Sequence, residues 1–435
     1  MERAPQPGFG EQAARTGVLL FLLLAIVTLA FGLGWGVNNL LDDNSSSTTV
    51  GSQPANNGAD PIGSAILNEI YQVLSNQYVD RNELDPALLR DAAITGALSA
   101  LNDRETQYIS PNDLKAGALD LGSSYQGIGA SVSDESGEVR IIAPFRDSPA
   151  ESAGIRAGDA ILEVDGEKTD GWSDQLAVEK IRGPKGTEVT LKVRHTDGQI
   201  EELKVTRGEI AIESVFTDPN LDPIPGESGK KLVDREGKPV TDLCYVNISQ
   251  FHDRTLSELR TKAGNLESNG CTGLILDLRS NGGGLLSATV DVADEFLDKG
   301  VILSEAGASG DKKVTNSTPG GILTKLPVVI LQDAGSASGA EVLAAALHDN
   351  GRAEIVGTRS FGKGTVNQLV QLDNCGDPKG CGALYLSVGR WYTPDGQQIE
   401  GLGITPDVEV PMTYDDYVGQ GDIQLFKAID MLRGK

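Results

Sequence analysis

Four kinds of patterning follow one another along the chain. Residues 17–36 contain no charge and are dominated by Leu, Val, Ala and Phe, and about 20 such residues span a bilayer as a helix. Residues 42–60 are rich in Ser, Thr, Asn and Gly with almost no large apolar side chain, the composition of a flexible tether. Over residues 61–108 apolar positions recur at helical spacing, at Ile66, Ile70, Tyr71, Leu74 and Tyr78, then at Leu88, Leu89, Ala92, Ile94 and Leu98. This predicts helices that act as packing elements.

Residues 125–207 alternate with a strand period. Strands are predicted at 129–132, 139–144, 160–164, 189–193 and 200–205, with turns at Asp165-Gly166 and Asp197-Gly198. Two helices interrupt them, a short one over 148–154 with Pro149 in its first turn and Gly154 at its end, and another over 175–181. A polar, Pro- and Gly-rich excursion over 209–242 separates this module from the last stretch. There, apolar runs at 243–248, 274–279, 328–331, 353–357 and 384–388 read as strands, and 341–347 and 423–432 as helices. Residues 305–318 read as a loop and 390–396 as a turn.

Candidate chemistry concentrates between residues 327 and 365. The small residues Ala334, Gly335, Ser336, Ala337, Ser338 and Gly339 lie between a predicted buried strand and an Ala-rich helix. Such a turn lets backbone approach a ligand. A serine there is exposed beside free N–H groups at a helix N-terminus, which can hold a developing oxyanion. Lys363 lies between Gly362 and Gly364. Backbone packed around its amine would desolvate it, lower its pKa and make it a general base. On a strand Lys363, Thr365 and Asn367 share a face, and Gln368 points away. Ser309-Gly310-Asp311-Lys312 matches S-x-x-K, but that motif needs a helix.

Length and charge narrow the classes. The 435 residues suggest two or three domains. A net charge of -25 argues against nucleic acid and against a basic lipid-binding patch. Arg3 and Arg15 precede the apolar run, and no Lys or Arg follows until Arg81. That asymmetry puts the N-terminus in the cytoplasm and the remainder outside. A cleaved signal peptide competes with an uncleaved anchor, but the run is long and lacks a clear A-x-A site. Four cysteines outside the cytoplasm permit two disulfides. Cys375 and Cys381 bracket a short loop, and Cys244 and Cys271 fall on or beside neighbouring parallel strands. Zinc has little support without a C-x-x-C pair. Of the three histidines, His195 lies in the β-rich module, His348 reaches Ser338 poorly, and His252 stays open as a rival base.

Ser336-Ala337-Ser338-Gly339-Ala340-Glu341 and Phe361-Gly362-Lys363-Gly364-Thr365-Val366-Asn367 resemble the paired motifs of the C-terminal processing peptidases, the tail-specific serine–lysine proteases. Asp277-Leu278-Arg279-Ser280-Asn281-Gly282-Gly283-Gly284 and the segments 392–396 and 403–407 extend the resemblance. The stretch 148–166, S-P-A-x-x-A-G-I-x-x-G-D-x-I-L-x-V-D-G, resembles a PDZ domain. The resemblance implies Ser338 as nucleophile, Lys363 as base and Asn367 as its orienting group, where the family has glutamine. It implies oxyanion donors at Gly339 and Gly283, with Gly282 and Gly284 as alternatives. Asp277 and Arg279 read as a structural ion pair, and Asp349 as a helix-end residue or a third relay member. The PDZ loop would be Gly127, Ile128, Gly129 and Ala130, taking a C-terminal carboxylate and an added strand, with Val178 and Ile181 across the groove.

The implied fold is α/β and multidomain. It comprises a cytoplasmic tail (1–15), a transmembrane helix (16–41), a flexible linker (42–60), a helical region (61–117), a PDZ domain (118–208) and a crotonase- or ClpP-like serine-protease core with parallel strands (209–435). The expected function is a membrane-anchored, extracytoplasmic serine endopeptidase acting on proteins or peptides with accessible C-termini. No metal or organic cofactor is implied, and a homo-oligomer is left open. The alternative is a PDZ-containing binding scaffold on an inactive protease core, and a weaker third reading is a hydrolase of another acyl group.

Overall fold

The computed structural model describes residues 64–115, 122–135, 138–145, 148–219, 232–266, 268–373 and 380–434. The expected membrane-spanning stretch lies outside them, and no described helix is long and apolar enough to cross a membrane. The described residues fall into two compact units, one made of 64–114 with 368–387 and the other of 115–367 with 388–434.

The smaller unit holds the helices Ser64–Gln77 and Pro86–Ser99 and strand β1 (Gln107–Ile109), antiparallel to residues 383–385. The second helix starts where Asp85 accepts the Ala87 and Leu88 N–H groups, with Pro86 supplying a preset φ. Neither helix buries a side chain fully, and Ile66, Ile70 and Leu88 are exposed. Leu89, Ile94 and Leu98 of the second helix are half-buried, and that helix packs against β1.

The larger unit contains the β-rich module and an α/β core. The module is entered through β2 (Ser124–Gly127). Its sheet comprises β3 (Ala130–Glu135), β4 (Glu138–Pro144), β5 (Ala160–Val164), β6 (Glu167–Lys168), β7 (Glu188–Arg194) and β8 (Ile200–Thr206). The order is β3-β4-β5-β7-β8, with β6 on β5 and every pairing antiparallel. Val139, Ile141, Ile161, Leu191 and Val193 form its core with Ala177 and Ile181 of the helix Asp174–Ile181. The chain leaves through β9 (Gly208–Ala211), which pairs with β2 as a separate two-stranded stalk.

The core sheet is β10 (Val215–Phe216), β11 (Leu243–Ile248), β12 (Gly273–Asp277), β15 (Val328–Gln332), β16 (Ala353–Gly357) and β19 (Val408–Glu409), parallel except for β10. Its strands are apolar on both faces because helices cover both. Leu274, Leu276 and Ile330 pack with the helices Thr255–Ala263, Leu286–Asp294 and Gly339–Asp349. Ile275, Val329 and Leu331 pack on the other side with the closing helix Ile423–Leu432. The turns after β12, β15 and β16 leave the carboxyl edge of three adjacent parallel strands, and that edge gathers the candidate chemistry.

Three expectations are corrected by long-range pairing. The 305–318 stretch is a hairpin of β13 (Val301–Gly307) and β14 (Lys312–Asn316), turning at Gly310 with φ +80. The polar excursion starting at 209 contains β9 and β10, each held by a distant partner strand. β17 (Thr365–Gln371) pairs with β18 (Ala383–Tyr392), and β18 runs through the predicted turn to Tyr392 because residues 389–392 pair with β13. Its Tyr392 ring lies 4.1 Å below the Lys312 ammonium, so the S-x-x-K lysine sits on a strand.

Cys244 on β11 is disulfide-bonded to Cys271 just before β12. Cys381 is also disulfide-bonded, while its expected partner Cys375 lies outside the described residues. The first bridge closes a 27-residue separation. Replacing both Cys244 and Cys271 by Ser should cost about 3.5 kcal/mol, the loop-entropy value for such a span. Urea unfolding would show it as a lower midpoint, and an unchanged midpoint would remove the bridge from any stabilising role.

Candidate active site

Ser338 precedes the helix Gly339–Asp349 with φ 53 and ψ -115, a conformation a serine adopts only when its surroundings impose it. The imposing contacts come from two neighbouring turns. Ala337 N–H donates to Asn281 O at 2.9 Å. The Ser336 hydroxyl donates to Leu278 O at 2.8 Å, and Asp333 Oδ1 accepts the Ser280 and Gly335 N–H groups at 2.8 and 2.9 Å. From the other side, Phe361 N–H donates to Ser336 O at 3.0 Å.

Glu341 joins the serine turn to the lysine turn. Its side chain is wholly buried. Oε2 accepts Ser338 N–H at 2.8 Å and Lys363 N–H at 2.9 Å. Oε1 accepts the Ser360 hydroxyl at 2.6 Å and Gly362 N–H at 2.7 Å. One carboxylate oxygen thus fixes the backbones of Ser338 and Lys363 against each other. Burial pushes the Glu341 carboxyl up to about 7, and the four donated hydrogen bonds hold it from rising further. In the sequence this residue reads only as an acidic residue in the first helical turn. The signal that could have found it is the glycine-flanked lysine, whose turn exposes N–H groups that need an acceptor.

Lys363 is 3% exposed, and its carbonyl accepts the Trp391 indole N–H at 2.8 Å. Gly364 N–H donates to Glu400 at 2.8 Å. A Cβ on Gly362 would come within 3.0 Å of backbone atoms of Ile399, Leu402 and Gly403, so the glycines flanking the lysine are imposed by the chain packed over it. Asn367 is buried on β17, and its Oδ1 accepts the Thr365 hydroxyl at 3.1 Å, placing both on the face expected for them.

The glycine turn lies directly against the serine. A Cβ on Gly283, whose φ is +104, would meet Ser338 Cβ at 2.7 Å and Gly339 N at 2.8 Å. Gly339 opens its helix, where N–H groups lack intrahelical acceptors. Gly283 N–H instead donates to Asn281 Oδ1 at 2.8 Å, and Asn281 Nδ2 donates to Ile248 O at 2.7 Å. Asn281 is fully buried, and no local pattern marks its role. Gly282 is also buried beside it. A Cβ on Gly284, whose φ is +144, would collide with the Phe251 carbonyl. Below the turn, Arg279 pairs with Asp277 at 2.6 Å and with Asp422 at 2.8 Å, the ion pair expected from sequence with an added carboxylate from the C-terminal segment.

The histidines are engaged elsewhere. His252 Nε2 faces the Ile212 carbonyl at 2.9 Å, which can only accept, and its Nδ1 accepts Arg254 N–H at 3.2 Å. Both ring nitrogens are thereby committed to backbone. His348 contacts Asp349 and Asp407. Asp349 ends an 11-residue helix that begins beside Ser338, about 16 Å away at the helical rise, and it accepts Asp395 N–H at 3.2 Å. That is a helix-end role. His195 is buried between Asp159 at 2.9 Å and Glu201 at 3.3 Å in the β-rich module.

The predicted peptide loop sits beside a sheet edge. β3 is an outer strand, so its free side can take an added strand. Gly127 ends β2, Ile128 O accepts Ala150 N–H, and Gly129 O accepts Phe145 N–H, both at 2.8 Å. Ala130 begins β3. Ile181 is buried in the module's core and Val178 is half-buried.

The Glu341 carboxylate generates a prediction. In Glu341→Gln the amide nitrogen cannot accept a hydrogen bond, so one pair of donors loses its partner. Misplacement of reacting groups by about 1 Å costs about 100-fold, and turnover at pH 8 should fall by that order with the fold retained by circular dichroism. The sign of the pH effect also follows. The folded state binds this proton more tightly than the unfolded chain, whose value is 4.5, so ionising Glu341 destabilises the fold as pH rises from about 4.5 to about 7. Relative to wild type, the variant's unfolding midpoint should therefore improve from pH 5 to pH 7. A constant difference would contradict the assignment.

Residues 242–410 match Peptidase family S41 and residues 119–194 match the PDZ domain family. The carboxy-terminal processing protease CtpB of Bacillus subtilis is 35% identical over 404 residues, covering 91% of this chain and 77% of the relative. A carboxy-terminal-processing protease of Bartonella bacilliformis is 33% identical over 373 residues, covering 83% and 79%. Among solved structures, a photosystem II D1 C-terminal processing protease aligns with a TM-score of 0.46 at 27% identity, over 84% of this chain and 98% of that one. The identity and coverage of the two protein relatives place this chain in the carboxy-terminal processing proteases of peptidase family S41, serine-type peptidases that carry a PDZ domain.

Proposed function

We propose that this chain is a membrane-anchored, extracytoplasmic endopeptidase that works through Ser338 and Lys363 and recognises substrate C-termini with its PDZ domain. The single observation that carries the reading is the Glu341 Oε2 atom, which receives both the Ser338 and the Lys363 N–H within 2.9 Å. Ser338 Oγ attacks the scissile carbonyl carbon while Lys363 Nζ takes the hydroxyl proton. Lys363 must be neutral for this step. The tetrahedral oxyanion faces the Gly339 N–H, with Gly283 as the second donor once its N–H leaves Asn281. Collapse breaks the C–N bond, and Lys363 returns the proton to the leaving amine. Water then attacks the acyl-enzyme with Lys363 again as base. Asn367 orients the lysine. The 17–36 apolar run would anchor the chain, residues 42–60 would tether it, and the positive residues before the run would keep the tail inside.

A second reading, a binding scaffold on a non-catalytic core, draws on the Gly283 N–H being held by Asn281. Cleavage of an unfolded protein with an apolar C-terminus separates the two. Wild type and His348→Ala should cleave it, while Ser338→Ala and Lys363→Ala should each lose about 10⁴-fold or more, as expected when residues act as one unit. Cleavage surviving in Lys363→Ala would remove lysine as the base. No cleavage by wild type, with retained peptide binding, would favour the scaffold.

The PDZ assignment has its own test. A Cβ on Gly129, at φ +75, would come 2.6 Å from Ser148 Cβ. Gly129→Ala should weaken binding of an apolar C-terminal peptide about tenfold, or about 1.4 kcal/mol, by fluorescence anisotropy. Unchanged affinity would place the peptide elsewhere.

A further inference from the structure

The PDZ domain holds a buried histidine between two carboxylates. His195 directly follows β7, where the turn to β8 is closed by His195 N–H to Gln199 O at 2.8 Å and Gly198 N–H to His195 O at 2.9 Å. Its side chain is 1% exposed. Nδ1 lies 2.9 Å from Asp159 Oδ1, and Nε2 lies 3.3 Å from Glu201 Oε2 on β8. A neutral imidazole has one N–H and one lone pair, so it satisfies only one of two carboxylate oxygens, whereas the imidazolium satisfies both. Asp159 is fully buried and Glu201 is half-exposed. The hydrogen bond to Asp159 raises the ring's pKa above its usual 6.5, and Glu201 adds to the rise that burial opposes. The other charges around the ring come from each neighbouring element. Arg156, in the same turn as Asp159, disfavours the proton. Arg140 of β4 donates to Gly158 O at 3.3 Å, Arg194 of β7 pairs with Glu138 at 2.8 Å, and Asp197 of the β7–β8 turn accepts Gln199 N–H at 2.9 Å.

This clasp secures a turn that braces the carboxylate loop. Asp159 Oδ2 accepts Arg156 N–H at 2.8 Å, closing the 156–159 turn. A Cβ on Gly158, whose φ is +84, would meet the Thr196 methyl at 2.8 Å, so the tip of the β7–β8 hairpin is packed hard against that turn. The turn follows the short helix Pro149–Ser152 and is joined to it by Ile155 N–H donating to Ala150 O at 3.1 Å. Ala150 N–H in turn donates to Ile128 O at 2.8 Å, and Ser148 occupies the space that a Cβ on Gly129 would need. The short helix therefore connects the clasp to residues 127–130. Deprotonation of His195 removes the counter-charge of Asp159, and a buried carboxylate that has lost its partner favours opening of the turn toward water.

We propose that His195, Asp159 and Glu201 form a pH-sensitive clasp in the PDZ domain, which when protonated holds the loop 127–130 ready for a C-terminal peptide and when deprotonated weakens that binding. The inference rests on the reading of this loop as the peptide site, and it adds a regulator of that site. The sign follows from the ring's raised pKa. The clasp contributes fully below about 6.5, the value in the unfolded chain, and its contribution is lost as pH rises through the higher folded value. Near the loop, burial pushes the Tyr125 phenol above its usual range, with the Arg182 guanidinium 4.8 Å from its ring, so neither group changes charge between pH 6 and pH 9.

The test uses the complete chain in detergent and a labelled, N-acetylated peptide with a free apolar C-terminus, whose carboxylate stays charged over this pH range. By anisotropy, wild-type affinity should fall about fivefold from pH 6 to pH 9, the lower end of ordinary coupling between two sites. Folded His195→Gln should bind with one affinity throughout. Glu201→Gln changes a half-exposed carboxylate, so it should keep the fold and move the fall in affinity to lower pH. In wild type with 13C-labelled histidine rings, NMR should place the His195 pKa above 6.5 and should show it rising further when peptide binds, because the coupling is reciprocal. A flat wild-type profile with binding retained overturns the proposal, as does the same fall persisting in folded His195→Gln. A His195 pKa unmoved by peptide also overturns it, since the clasp would then be merely structural. No peptide binding at any pH overturns the reading of the loop instead, and the proposal with it.

Discussion

A buried carboxylate has to be satisfied by the groups around it, and Glu341 is satisfied by the two turns that the chemistry needs. Four donors converge on its two oxygens. An uncompensated buried charge costs several kcal/mol. The serine turn and the lysine turn cannot separate without incurring that cost. The strained backbone at Ser338 is tolerable for the same reason, because Glu341 from one side and Asn281 and Asp333 from the other leave it no alternative.

The sheet sets the scale of the site. β12, β15 and β16 are adjacent and parallel, so the turns that leave their carboxyl ends emerge about 4.8 Å apart in order. The glycine turn, the serine turn and the lysine turn are therefore brought together by topology before any side chain is considered. The disulfide between Cys244 and Cys271 secures the next strand in that order, and Arg279 ties the glycine turn to the C-terminal helix through Asp422. The PDZ domain is inserted ahead of this sheet on a stalk of two strands, whose foot is held by a segment bonded to the glycine turn.

Much of this was legible in the sequence where the signal is local. Ser338 and Lys363 stood out because small residues and paired glycines have a conformational meaning that survives without knowledge of contacts, and the structure gives that meaning as backbone packed over Gly362 and Gly283. The closing helix Ile423–Leu432 and strand β16 are legible to their ends because burial follows their periodicity. What local pattern could not carry was pairing at a distance. The hairpin of β13 and β14, the stalk strand β9 and the extension of β18 exist because a partner strand supplies their hydrogen bonds. Glu341 and Asn281 were unreadable for a related reason. Glu341 is defined mostly by donors 19 to 22 residues away and Asn281 by a backbone carbonyl of another strand, whereas in sequence they are an ordinary helix-start acid and an ordinary turn asparagine.

The central claim is that Glu341 holds Ser338 where Lys363 can activate it. Labelling by a fluorophosphonate probe, which reports the reactivity of a serine oxygen directly, tests it without any assumption about the substrate. Mass spectrometry should find the label on Ser338, with a rate that rises with pH in wild type and is strongly reduced in both Lys363→Ala and Glu341→Gln. Labelling of another serine, or an undiminished rate at Ser338 in Glu341→Gln, would contradict the account.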